Sequence, residues 1–140
     1  MSHVLGSATA ATAEDPFGPD DPVEVARLVR RALAAAGARA LDVTALLVCA
    51  GGRVEHAALQ RFTRRALGPH GASLSPVAIP GRAATHQDRC ADATDAAIGF
   101  RRGPDGGAGP PPARGSMVIA VALGPGASAT ALCIGERHGP

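Results

Sequence analysis

The chain has no lysine, asparagine, tyrosine or tryptophan, and its three aromatic residues are all phenylalanine: Phe17, Phe62 and Phe100. The lack of lysine excludes a Schiff base or a lysine general base. With so few aromatic faces, there is no platform on which single-stranded bases would stack. All 14 basic residues are arginine, a bias that GC-rich coding produces. Set against 12 acidic residues, they leave a net charge of +2. That is too small to draw in nucleic acid or an acidic membrane. No window holds the roughly 18 apolar residues of a membrane span. The start, Met1-Ser2-His3-Val4, lacks the basic and then apolar run of a signal peptide. Cys49, Cys90 and Cys133 are odd in number and widely spaced, so neither a disulfide framework nor a zinc motif is indicated. The expectation is a reduced, cytoplasmic protein without a cofactor.

What is present fits one soluble domain over residues 1–140, with 46% apolar and 19% charged residues. Ser2–Ala11 reads either as a tail of small residues or as a first strand anchored by Val4 and Leu5. A loop rich in Asp, Pro and Gly follows, from Glu14 to Asp21. Asp20 or Asp21 then caps a helix with Pro22 at its first position, where the missing N–H costs nothing. Val25, Leu28, Val29, Ala32 and Leu33 form its apolar stripe, Arg27, Arg30 and Arg31 face away, and Gly37 ends it. Thr44–Ala50 is a continuous apolar run, as expected of a strand covered on both faces, and Gly51-Gly52 breaks it.

A helix is predicted over Arg53–Leu67, with Val54, Ala58, Leu59, Phe62 and Ala66 inward and Arg61, Arg64 and Arg65 toward water. Gly68-Pro69 stops it. The short strand Leu74–Ile79 is bracketed by Pro76 and Pro80, which places it near an edge. A third helix spans Ala83–Phe100, with Cys90, Ala93, Thr94, Ala97 and Ile98 on a narrow apolar face. On the same rod Asp88, Asp92 and Asp95 fall at i, i+4 and i+7 and make an acidic stripe. A flexible Gly/Pro loop is expected from residue 101 to 115. Two apolar runs, Met117–Leu123 and Ala129–Ile134, then form a hairpin turned by Gly124-Pro125-Gly126. Alternation of strands and helices argues for an α/β fold: a mixed sheet of about five strands, βαβαβαββ, with helices on both faces.

This order resembles the C-terminal lobe of the thiolase/β-ketoacyl synthase family. The opening SHVLGSATAATAEDPFGPDDPVEVARLVRRALAAAG is similar to the strand, loop and helix that begin that lobe. ALGPHG, the Pro-rich strand and IPGRAATH are similar to the corresponding segment of the chain-length factors, the non-condensing partners of aromatic polyketide ketosynthases. ALGPGASATALCI resembles the Gly-rich hairpin that closes the lobe. The resemblance implies a single thiolase-like lobe without the one that carries the nucleophilic cysteine. The first catalytic histidine would follow Val48-Cys49-Ala50, where none stands. The second would follow Gly81, where Arg82 stands, and the family's lysine has no counterpart. The implied role is a non-catalytic accessory protein that associates with a ketosynthase, an acyl carrier protein or a second copy of itself.

Several residues have a sharper and a plainer reading. Cys49, at the end of a buried strand, is a nucleophile if His56 serves it as a base, and otherwise a small packed hydrophobe. His86 and Cys90 stand at i and i+4 with Asp88 near, and one more ligand would complete a metal site; no metal is expected. An enzyme that reused the lobe would act through Cys49, His56, His86 or Cys90. Cys133 alternates with Leu132 and Ile134 and reads as structural, and His56 and His70 as surface residues. Arg82 is placed to grip a phosphate or carboxylate, or simply to cap carbonyls. Arg30, Arg31, Arg64 and Arg65 suit an acidic partner surface. The stripe Asp88, Asp92 and Asp95 requires either water or a basic partner, because burying three unpaired carboxylates is prohibitive.

Overall fold

The computed structural model describes residues 2–11, 23–51, 54–74, 76–80, 82, 84–102, 117–124 and 128–136. The expected helix cap at Asp20 or Asp21 with Pro22, the residues Gly52, Arg53 and Gly81, and the turn residues Pro125 and Gly126 lie outside them. Strand β1 (Ser2–Ala11) leads to helix α1 (Val23–Ala36), strand β2 (Val43–Ala50) and helix α2 (His56–Leu67). Strand β3 (Val77–Pro80), helix α3 (His86–Arg102), and strands β4 (Met117–Leu123) and β5 (Ser128–Glu136) complete the chain. The strands lie in the order β1-β5-β4-β2-β3, forming one five-stranded mixed sheet. β2 runs parallel to β3 and β4, while β5 is antiparallel to both β4 and β1. Of the two readings of Ser2–Ala11, the strand is the one adopted.

Each helix follows from its apolar spacing. On α1, Val25, Leu28, Val29, Ala32 and Leu33 are buried. On α2, Ala58, Leu59, Phe62 and Ala66 are buried, with Arg61, Arg64 and Arg65 exposed. These two helices cover one face of the sheet, over Val48, Ile119, Val121, Ala131 and Cys133. Among the described residues the other face carries α3 alone, with Ala93 and Ala97 set on Leu47, Cys49, Val118, Ala120 and Ile134. Both faces of β2 and β4 are thus sealed, which is why their sequences are apolar without alternation. β1 meets α1 at Gly6, where a Cβ would stand 2.6 Å from the carbonyl oxygen of Ala32. Only glycine permits that approach.

Some boundaries differ from expectation, each for a local reason. α3 starts at His86 because Thr85 caps it, its hydroxyl accepting the N–H of Asp88 at 3.1 Å. It also runs through Arg102, taking in the first two residues of the expected loop; residues 103–116 lie outside the described set. After α2 the chain tightens into a 3₁₀ turn over Gly68–Ser73 instead of passing directly to a strand, and β3 is only Val77–Pro80. A second 3₁₀ turn, Ala40–Asp42, precedes β2. At the hairpin, Gly124 has φ +70° and its N–H donates to the Ser128 carbonyl at 2.8 Å.

Candidate functional site

The carboxyl ends of the parallel strands β2, β3 and β4 meet the first turn of α3. In open α/β sheets this edge is where ligands collect. Two side chains on that first turn tie it to the β4 end. His86 donates from Nδ1 to the Gly124 carbonyl at 2.8 Å. Arg89 donates from Nη1 to the Leu123 carbonyl at 2.7 Å. Helical spacing places both on one side of α3, three residues apart. The Arg89 guanidinium also abuts Gly51, where a Cβ would meet Nη2 at 3.0 Å.

Because the Gly124 carbonyl can only accept, Nδ1 of His86 carries a proton. Any lone pair the ring keeps is therefore at Nε2. The Thr130 hydroxyl lies 2.8 Å from Nε2, and Thr130 is itself 2.9 Å from the hydroxyl of Thr9. The register pairs Thr9 with Thr130 directly across β1 and β5, so both hydroxyls are held by the sheet. The Cys90 sulfur is the more distant neighbour of Nε2, at 3.6 Å.

Cys49 is fully buried at the end of β2, its sulfur 4.0 Å from the Pro80 carbonyl. Burial pushes its thiol pKa up, the Asp92 carboxylate and Cys90 push the same way, and Arg89 opposes them. A raised pKa keeps the thiol protonated, the opposite of what a nucleophile needs. Thus His86, Cys90 and Cys49 lie on one edge, whereas the sequence spacing paired Cys49 with His56 and His86 with Cys90. His56 does not join them. It is exposed at the start of α2 and makes no hydrogen bond to Cys49. Thr130, Thr9, Arg89 and the Gly124 carbonyl are the site members that sequence reading missed. Only Arg89, spaced i+3 from His86, left a signal there.

The remaining candidates stand apart. Arg82 is exposed just beyond β3. Among the described residues no third His, Cys, Asp or Glu joins His86 and Cys90 in a group able to hold a metal. Asp88, Asp92 and Asp95 are exposed on the outer side of α3, while Arg30, Arg31, Arg64 and Arg65 are exposed on α1 and α2. The acidic and basic surfaces therefore lie on opposite sides of the sheet. Cys133 is buried with its thiol 3.2 Å from the sulfur of Met117. His70 departs from its expected surface role: it is half-buried, with Nε2 2.8 Å from the Val43 carbonyl. It pins the 3₁₀ turn to the start of β2. Among the described residues no helix is long and apolar enough to cross a membrane.

The sequence matches no family model and no curated protein. The fold is similar to that of solved structures. One is the priming β-ketosynthase from the R1128 polyketide biosynthetic pathway, at TM-score 0.53 and 13% identity, covering 99% of this chain and 51% of that one. Another is ChlB3, an acyltransferase, at TM-score 0.61 and 15% identity, covering 99% of this chain and 51% of that one. The chain spans about half the length of these proteins. At such identity the likeness is one of fold: an α/β unit with a mixed five-stranded sheet and three helices, matching one thiolase-like lobe.

Proposed function

We propose that this chain is a non-catalytic, chain-length-factor-like accessory protein of polyketide or fatty-acid-type biosynthesis. It works by associating with a condensing enzyme, an acyl carrier protein or a second copy of itself. The observation that carries this reading is the hydrogen bonding of His86. A base that activates a thiol needs a free lone pair directed at the sulfur. Here the Thr130 hydroxyl sits 2.8 Å from Nε2, nearer than the Cys90 sulfur at 3.6 Å, and the Gly124 carbonyl takes Nδ1. The other thiol on this edge, Cys49, is buried with its pKa raised. The edge reads as a structural clasp. The fold likeness to a ketosynthase and an acyltransferase supports the biosynthetic setting. The 3.6 Å contact favours the rival reading, a small enzyme using Cys90 and His86, but that reading requires Thr130 to release Nε2.

Association fits the charge layout, with Arg30, Arg31, Arg64 and Arg65 exposed on one side of the sheet and Asp88, Asp92 and Asp95 on the other. Light scattering of the chain, alone and mixed with a ketosynthase or an acyl carrier protein, tests it. The expected result is a complex that weakens with salt and with the R30A/R31A/R64A/R65A variant. A chain that stays monomeric and binds neither partner at low salt contradicts the proposal.

A further inference from the structure

Helices α1 and α2 end side by side and leave a groove of about 400 Å³ between them. That is within the range of small-molecule sites, roughly 300–1,000 Å³. Its floor is apolar, made by the buried side chains of Leu33, Ala66 and Leu67 with Ala38 alongside. Arg30 from α1 and Arg65 from α2 stand at its rim, both exposed and without a hydrogen bond or ion pair among the described residues. Among the described residues no acidic side chain lines it.

Two helix C-termini would ordinarily make such a place unfriendly to an anion. Here part of that end charge is met within the chain, at the Leu33, Ala34 and Arg64 carbonyls. The N–H groups of Gly37 and Ala38 close α1 onto the Ala34 and Leu33 carbonyls at 3.1 and 2.9 Å, with Gly37 at φ +68°. The N–H of Gly68 closes α2 onto the Arg64 carbonyl, with φ +66°. The two guanidiniums therefore set the polarity of the rim. What remains of the helix-end charge weighs more heavily on a phosphate dianion, which is favoured by backbone N–H groups and the positive end of a helix, than on a monoanion. A singly charged carboxylate, matched by the planar donors of arginine, is the better complement.

We propose that this groove binds an amphiphilic carboxylate, with Arg30 and Arg65 holding the head group and the Leu33, Ala66 and Leu67 floor taking a short acyl chain. The site lies on the opposite side of the sheet from α3 and shares Arg30 and Arg65 with the partner-binding surface proposed above. Isothermal titration of the isolated chain with sodium octanoate, with 1-octanol, octylamine and inorganic phosphate as controls, tests it. The expected result is saturable binding of octanoate alone, with R30A and R65A each weakening it by about tenfold. Ala34 lines the groove yet is exposed, so A34F should fill the space and abolish binding while leaving thermal unfolding unchanged. Octanol bound as well as octanoate, or octanoate affinity unmoved by R30A and R65A, overturns the proposal. So does a dimer that A34F dissociates and octanoate does not, since the groove would then be an interface between copies. No partner protein is present, so either result leaves the accessory role to its own test.

Discussion

On one face of the sheet α1 and α2 bury Leu28, Val29, Leu33, Leu59 and Phe62, while on the other α3 fully buries, among its described side chains, only Ala93 and Ala97. The first face is held by large side chains that remove much apolar area from water. The second brings a helix of small residues close to the strands and gains little area. Its hold is polar instead: His86 and Arg89 grip the β4 end, and the nearly buried Arg101 lies 3.9 Å from Glu136 on β5. Side chains with the chemistry of a catalytic site are, on this face, the fastening of a helix that hydrophobic packing alone would hold weakly.

Four measurements break or sharpen this contrast. The largest effect is expected on the apolar face. Phe62→Ala should cost about 3–5 kcal/mol in denaturant unfolding, because Phe62, on α2, is wholly buried in the core shared with α1 and the sheet. A loss no greater than that of a surface change would mean this face is not the main core.

Next comes alkaline pH. Burial pushes the Cys133 thiol from the ordinary 9.0 up to about 11. The folded chain keeps a proton that the unfolded chain has lost, so stability is full below 9.0 and falls as pH rises toward about 11. Cys133 should supply about 2–3 kcal/mol of the loss, and that part should be absent in Cys133→Ala. Cys49 is shifted in the same direction, so Cys49→Ala should flatten part of the same slope.

His86→Ala should cost about 1–3 kcal/mol by leaving Thr130 and the Gly124 carbonyl short of a partner. Amide exchange should quicken at the start of α3 and not in α1 or α2. Equal loosening of all three helices would erase the distinction between the faces. The smallest effect is at Asp88, Asp92 and Asp95: each exposed carboxylate replaced by Ala should change stability by no more than about 0.5 kcal/mol.

The elements were legible wherever periodicity and burial coincide. Met117–Leu123 reads as a strand to the residue, because it is apolar on both faces. The stripe of α1 and the edge position of β3 follow equally from spacing and from the bracketing prolines. The 3₁₀ turns were not legible, since Gly68-Pro69 signals a stop without saying what comes after it. His70 was misread for the same reason: its partner, the Val43 carbonyl, is 27 residues away. In the site, the i, i+4 spacing of His86 and Cys90 exposed their pairing. What the ring does depends on Thr130, which reaches it only through the β5 register. No local pattern encodes that register.

The most direct measurement is intact-mass spectrometry of the chain after incubation with an acyl thioester. With Nε2 of His86 held by Thr130 and Cys49 kept protonated, the mass should be unchanged. An acyl adduct on Cys90 that His86→Ala abolishes would show a working thiol–imidazole pair and contradict the account.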